Sequence, residues 1–175
     1  MKEFIKDIAI AVVIVLLVTA FIKPTIVKET SMLDTLQENN YLLINKMAYK
    51  TKDHPDRGDI IVFHSNLINE DTGKEMLLIK RVIGVEGDVV EFEDDEVYLN
   101  GELLNEDYIY DEDSVLRNYP NGTSFTVDED HIFVMGDHRS VSRDSRESDV
   151  GTITEDSVVG KAFVRLFPFN EITRL

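Results

Sequence analysis

One apolar segment near the N-terminus constrains this chain more than any other feature. Residues 8–22 carry no charge between Asp7 and Lys23. As an α-helix this segment rises about 22 Å, which is short of the roughly 30 Å hydrocarbon core of a bilayer. Apolar neighbours on both sides extend the segment, and the amines of Lys6 and Lys23 can reach the lipid headgroups. The segment therefore predicts a membrane-spanning helix of about 20 residues.

Three interpretations of this segment compete. A buried core helix is disfavoured, because the run is apolar on every face and lies at the terminus. A cleaved signal peptide fits, since Lys2 and Lys6 form a basic start and Val18-Thr19-Ala20 resembles a small-x-small cleavage site. An uncleaved anchor fits equally well on local sequence. Both of these interpretations place the remainder of the chain outside the cytoplasm.

Charge and composition exclude several classes of function. The 175 residues contain 18 Lys and Arg against 34 Asp and Glu, a net charge of −16, and this acidity disfavours nucleic-acid binding. The absence of cysteine excludes disulfide scaffolds, Cys-based zinc sites and thiol nucleophiles. Acidic clusters at 91–96, 106–113 and 128–130 lack the alternating ligands of a calcium loop. We interpret these clusters as solvated surface, and we expect no metal and no cofactor.

From residue 41 onward, short apolar segments alternate with turn residues, which predicts a mainly β domain. Asn100-Gly101 predicts a type I′ hairpin turn, because both residues tolerate positive φ angles. We expect antiparallel sheets or a partly open barrel with a small inserted β region at 93–127. The predicted strands cover 41–44, 59–64, 76–85, 89–92, 97–104, 124–127, 131–135 and 160–167.

Three polar segments are candidates for chemistry. The first is Ser31-Met32-Leu33-Asp34-Thr35-Leu36, the second is the segment 80–88 that begins Lys80-Arg81-Val82-Ile83-Gly84, and the third is the dense polar stretch 136–146. Each is weak by itself, because isolated serines, strand-end lysines and Gly-Asp loops are common in proteins without such chemistry.

Together, and in this order, these segments resemble the type I signal peptidases (leader peptidases) of the Gram-positive bacterial kind, which are membrane-anchored Ser–Lys peptidases. The resemblance covers nearly the whole chain. It implies a β-rich domain, an uncleaved anchor at 8–22, a short cytoplasmic N-terminus at 1–7 and an extracytoplasmic catalytic domain at 23–175. It also implies cleavage of exported preproteins after a small-x-small motif. The expected surroundings are the lipid bilayer and the nearby secretion translocase.

The resemblance also implies roles for single residues. Ser31 matches the nucleophile, Lys80 the general base, and Ser142 the hydroxyl that orients the lysine. Asp144 and Arg146 match an ion pair that supports the site. Positions that line the substrate pockets are matched by Met32, Leu36 and Ile79.

Elementary chemistry is consistent with a lysine base. A serine hydroxyl needs a neighbour that takes its proton. Lysine at its ordinary pKa of about 10.4 is almost fully protonated at pH 7, at a cost of about 4.6 kcal/mol for the neutral form. Burial can lower that pKa by several units, and the apolar residues 76–79 lead directly into Lys80. Arg81 should alternate to the opposite strand face, and an Asp144–Arg146 pair turned away from Lys80 is the arrangement we expect.

Three positions depart from the family pattern. Asp34 stands where members usually have Pro, and His138 where they usually have Asn. Glu29 stands where the family has Gly or Ser, and an ionised Glu cannot donate a hydrogen bond to an oxyanion. Two alternatives therefore stay open. One is a serine hydrolase that uses one of the four histidines, His54, His64, His131 and His138, although no Gly-x-Ser-x-Gly motif is present. The other is a catalytically silent, membrane-tethered homologue that binds peptides.

Overall fold

The N-terminal helix, α1, spans Lys2–Phe21 in the computed structural model, which describes residues 2–50, 54–110 and 121–175. Its 20 residues are about 30 Å long. From Glu3 to Phe21 it is long and apolar enough to cross a membrane, and none of that stretch is buried against the rest of the protein. Ile22, which we assigned to the anchor, instead begins the first strand.

The rest of the described chain is mainly β. Its strands are β1 Ile22–Ile26, β2 Tyr41–Asn45, β3 Ile60–Asn69, β4 Lys74–Gly84, β5 Val89–Glu93, β6 Glu96–Leu99, β7 Glu102–Leu103, β8 Thr123–Thr126, β9 His131–Met135, β10 Ile153–Thr154, β11 Val158–Phe167 and β12 Thr173–Arg174. One-turn 3₁₀ helices occupy Glu155–Ser157 and Phe169–Glu171.

Within the described residues, the larger sheet has eight antiparallel strands. Seven follow the order β1-β2-β11-β3-β4-β9-β10, and β12 pairs with β11. Strand β1 leaves the helix without an intervening loop, and the Lys46 amide donates to the Phe21 carbonyl at 2.9 Å. The end of α1 is thereby attached directly to the sheet.

A smaller antiparallel sheet, ordered β7-β6-β5-β8, lies in the chain between β4 and β9. It runs from residue 89 to 126, so its first strand starts before our expected boundary at residue 93. Asn100 and Gly101 have φ angles of 55° and 80°, as the type I′ turn requires. The small inserted β region that we expected at 93–127 contains β6, β7 and β8 among its described residues.

The larger sheet is covered on both faces at the start of β3, which sends alternate side chains to two apolar clusters. Ile60 and Val62 pack with Met32 and Leu36 on one side. Ile61 and Phe63 pack on the other. A third cluster, centred on Phe92, Phe125 and Phe133, joins the smaller sheet to β9. The antiparallel sheets and the N-terminal apolar helix confirm the fold class predicted from the sequence.

Candidate active site

Ser31 and Lys80 meet in the interior, although they are distant in sequence. The Lys80 Nζ atom lies 2.7 Å from Ser31 Oγ. Only 8% of Ser31 and 1% of Lys80 is exposed. Lys80 lies on the same face of β4 as the buried residues Leu78 and Val82, since alternate strand residues share a face. The amine and the hydroxyl are therefore in direct hydrogen-bond contact and shielded from bulk water.

The surroundings of Lys80 lower the pKa of its amine on balance. Burial lowers the pKa of Lys80 below its ordinary value. The negative charges of Asp144, Glu29 and Asp137 act in the opposite direction, while the positive charge of Arg146 acts with burial. The net direction is downward, so more of the amine is unprotonated at a given pH than in a free lysine. An unprotonated amine can accept the proton of a serine hydroxyl.

A tight turn after β1 places Ser31. The Leu36 amide donates to the Met32 carbonyl at 2.7 Å, which closes one helical turn, and both side chains are anchored in the core. The Ser31 carbonyl accepts from the His138 amide at 3.1 Å. A Cβ on Gly136 would lie 2.4 Å from the Ser31 carbonyl oxygen, so only glycine allows this close approach. The backbone of Ser31 is thus held on both sides.

Asp144 and Arg146 form a buried ion pair behind this turn. The Arg146 Nε and Nη2 atoms donate to the two Asp144 oxygens at 2.8 and 3.0 Å. Burial alone would raise the pKa of Asp144, but the charge and hydrogen bonds of Arg146 lower it below its ordinary value. The Gly136 amide also donates to Asp144, at 2.9 Å. The carboxylate therefore accepts hydrogen bonds from Arg146 and Gly136, while its charge still raises the pKa of Lys80.

Ser142 is close to the site, but among the described residues its hydroxyl does not form the expected hydrogen bond with Lys80. Its hydroxyl is buried and has no hydrogen-bond partner of normal geometry among the described residues. It helps to lower the pKa of Asp144, and it packs against Gly136, where a Cβ would lie 2.3 Å from the Ser142 oxygen. Among the described residues, Ser142 therefore does not orient Lys80 through a hydrogen bond.

A cleft of about 630 Å³ opens beside Ser31. Met32 and Ile79 contribute to its wall, as do Met76 and Leu77 of β4. Leu36, the third residue expected to line a pocket, is instead fully buried in the core and is not part of the cleft wall. Its contribution to the site is to fix the turn that carries Ser31.

The three residues that depart from the family pattern differ in exposure and in contacts; they are Glu29, Asp34 and His138. Glu29 is exposed and lines the cleft beside Ser31. Asp34 is exposed at the turn after Ser31, away from the cleft wall. His138 is half-buried; its Nδ1 lies 3.3 Å from the Thr30 carbonyl oxygen, and its ring contacts Tyr110.

The histidine alternative finds no support in the geometry. Across residues 2–50, 54–110 and 121–175, no histidine ring forms a hydrogen bond with a serine hydroxyl. His54 pairs with Glu155, and His131 contacts the Glu129 carbonyl. His64 lies 3.5 Å from a Glu75 oxygen on the neighbouring strand.

The sequence analysis did not predict one ion pair beside the site, between Arg81 and Asp137. Arg81 does alternate to the opposite strand face, but there it binds Asp137 through Nε and Nη2, at 2.8 and 2.6 Å. Asp137 also accepts from the Thr35 hydroxyl at 2.5 Å, so β4, the Ser31 turn and the loop after β9 are joined. Arg81 lies in the segment 80–88 and Asp137 in the segment 136–146, so their place in these two motifs was the only sequence signal for the pair.

Comparison with known proteins agrees with these motifs. A family model described as "Signal peptidase, peptidase S26" matches residues 1–167. Signal peptidase IB of Staphylococcus aureus is 37% identical over 97% of this chain and 91% of that protein. Signal peptidase I P of Bacillus subtilis subsp. natto is 35% identical, again over 97% of this chain and 91% of that protein.

Among solved structures, a signal peptidase I from Enterococcus faecalis is 36% identical, with a TM-score of 0.48. The match covers 62% of this chain and 97% of that chain. The family model and the full-length relatives carry the conclusion. The chain belongs to the signal peptidase family, peptidase S26.

Proposed function

We propose that this protein is a membrane-bound serine endopeptidase that removes N-terminal signal peptides from exported preproteins. In this proposal Ser31 is the nucleophile and Lys80 the general base. The observation that carries it is the 2.7 Å separation between Lys80 Nζ and Ser31 Oγ inside a buried pocket. Membership of the signal peptidase family supports the same substrate class.

The reaction follows from the two side chains. Neutral Lys80 takes the hydroxyl proton as Ser31 Oγ attacks the scissile carbonyl carbon. The resulting Lys80 ammonium then gives its proton to the leaving amine of the mature protein, and an acyl ester remains on Ser31. Lys80 next takes a proton from a water molecule that attacks this ester. Its ammonium returns that proton to Ser31 Oγ as the ester bond breaks, which releases the signal peptide and restores the hydroxyl.

The charge on the attacked oxygen needs a hydrogen-bond donor. The Ser31 backbone N–H is the donor we assign, because no hydrogen bond within the described residues occupies it. Glu29 cannot donate while ionised, and its charge near the cleft opposes an oxyanion. Its exposure allows the carboxylate to remain in water during the reaction.

An open strand edge supports recognition of an extended peptide. Among the described residues, β4 pairs with β3 along 74–81, while β9 pairs with β4 only from Arg81 to Gly84. Within the described residues, the second edge of β4 is therefore unpaired over 76–80, beside the cleft. A peptide can add there as a strand, with alternate side chains entering pockets walled by Met32 and Ile79. We expect the parts of the cleft beside Met32 and Ile79 to accept small side chains, as cleavage after a small-x-small motif requires.

The membrane helix sets the proposed location. We assign the residues before the apolar segment to the cytoplasm and residues 23–175 to the extracytoplasmic side. Because β1 follows α1 directly, the sheet and Ser31 are held close to the bilayer surface. A signal peptide that emerges from the secretion translocase would then meet Ser31 close to the bilayer surface.

Cleavage of a defined preprotein tests this function. The detergent-solubilised full chain is incubated with a preprotein carrying an Ala-x-Ala site, and the new N-terminus of the product is sequenced. We expect one cut directly after the motif. Replacing the alanine next to the cut by phenylalanine should stop cleavage, whereas replacing the middle residue should not. Intact substrate after prolonged incubation would favour the silent homologue, and equal cleavage of the phenylalanine substrate would refute the pocket assignment.

A further inference from the structure

Glu106 lies in an acidic segment that we interpreted as solvated surface, yet its side chain is only 7% exposed. It faces Arg139, whose side chain is fully buried. The two guanidinium nitrogens Nη1 and Nη2 donate to the two carboxylate oxygens, with Nη1 at 2.9 Å from Oε2. This paired geometry is the strongest form of an Arg–carboxylate contact. Glu106 is therefore the buried counter-charge of Arg139.

Arg139 links Glu106 to the residues around Ser31 through hydrogen bonds. Its Nε donates to the Gly136 carbonyl at 3.0 Å, and the Gly136 amide donates to Asp144 at 2.9 Å. Gly136 packs so closely on the Ser31 carbonyl and the Ser142 hydroxyl that no Cβ fits between them. The chain of contacts from Glu106 therefore ends on the backbone of the proposed nucleophile.

Glu106 belongs to residues 104–110, which we call the strap and which follow the hairpin of β6 and β7. Tyr108 stacks over the Arg81 guanidinium at 4.0 Å from its ring centroid and donates its hydroxyl to Glu106 at 2.9 Å. The Tyr110 amide donates to the Asp137 carbonyl at 3.2 Å. The strap thus contacts both Arg81, the neighbour of Lys80, and the loop that packs on Ser31.

We propose that Glu106 is a positioning residue for the reaction. It acts through Arg139 and Gly136 to hold Ser31 at hydrogen-bond distance from Lys80. This inference rests on the proposed function. Glu106 is absent from the cleft wall, so it has no direct means to bind substrate. Its loss should therefore lower kcat and leave KM nearly unchanged, because small displacements of reacting groups slow the chemical step strongly.

The test compares four variants of the full chain in detergent, with a fluorogenic peptide that carries an Ala-x-Ala site. Glu106→Gln removes the charge, and Glu106→Asp keeps it but withdraws the carboxylate from Arg139. The double variant Glu106→Leu with Arg139→Leu removes both charges, which avoids an unpaired buried ion. Asp107→Asn is the matched control, since it makes the same charge change at the exposed neighbour. Thermal unfolding is followed for each variant.

We expect kcat to fall about 10- to 100-fold in Glu106→Asp and in the double variant, with KM within about twofold of wild type. Asp107→Asn should match wild type. If the pair serves stability alone, a folded double variant will keep the wild-type kcat, and that result would overturn the inference. If the other variants fail to fold, a wild-type kcat in Glu106→Asp would by itself overturn the inference. An inactive wild type would instead refute the proposed function itself.

Discussion

Lys80 Nζ lies 2.7 Å from Ser31 Oγ, and only 1% of the lysine is exposed. Desolvation of an amine and its contact with a hydroxyl are thus achieved by the same packing. In the proposed mechanism this amine is the proton acceptor for the serine hydroxyl. The pKa of Lys80 should then determine how activity depends on pH.

Activity should rise with pH along a limb that belongs to Lys80. The base works only when unprotonated, and its neutral fraction increases as pH rises through its pKa. Because burial lowers the pKa of Lys80, the limb should lie below the ordinary lysine value, with maximal activity on the alkaline side of neutrality. The measurement is kcat/KM against pH for wild type and for His138→Gln. A limb that disappears in the histidine variant would contradict this assignment.

Glu29→Gln should move this limb to lower pH. The Glu29 carboxylate raises the pKa of Lys80, so its neutralisation should leave the amine easier to deprotonate. Glu38→Gln is the matched control, because Glu38 is also exposed but is not among the charges that raise the pKa of Lys80. Comparison of the three pH profiles at low salt checks the effect. An unchanged limb, or a shift equal to that of Glu38→Gln, would show that the carboxylate does not act on Lys80.

Asp144→Asn should destabilise the fold by about 3 kcal/mol, because it leaves the Arg146 charge buried without its full partner. The pKa of Asp144 is below its ordinary value, so its contribution is present above about pH 4 and is lost as the pH falls further. Asp149→Asn is the control, since Asp149 pairs with Arg143 at an exposed position. Denaturant unfolding in detergent measures both. Equal stability of the two variants at pH 7 would argue against the buried pair.

The proposed topology can be tested with single cysteines, because the natural chain has none. A cysteine at Glu102, which is exposed in the smaller sheet, should react with a membrane-impermeant maleimide added to intact protoplasts. A cysteine at Glu3, exposed near the start of α1, should react only after lysis. The opposite labelling pattern would reverse the orientation and separate the site from emerging signal peptides.

Local sequence signals predicted the parts of the fold that local forces determine. Asn100-Gly101 defined a hairpin because few residues accept two consecutive positive φ angles. Strand β1 was missed, because Ile22 looked like the end of the apolar segment and Pro24 is unfavourable within a strand. Proline is tolerated there because β1 is an edge strand of the sheet. Strand β3 continues beyond the predicted end at His64 because it pairs with β4.

Sequence motifs predicted the site residues that belong to them. They did not predict residues whose role depends on contacts with distant parts of the chain. Ser31 and Lys80 were named from the motifs, and the structure adds their separation and burial. Leu36 was assigned to a pocket, but its place in the core depends on packing with Leu42 and Ile44, which no motif reveals. Glu106 looked like surface charge, because its partner Arg139 is 33 residues away in sequence, in the loop after β9.

The most direct test of the Ser–Lys assignment is a double-mutant kinetic comparison. Ser31→Ala, Lys80→Met and the double variant are assayed for cleavage of the same preprotein, with Lys50→Met as the control, because Lys50 is exposed and does not line the cleft. Because neither group works without the other, each single variant should fall to the background rate and the double variant should be no slower. Lys50→Met should retain wild-type activity. Substantial cleavage by Ser31→Ala or by folded Lys80→Met would contradict the assignment.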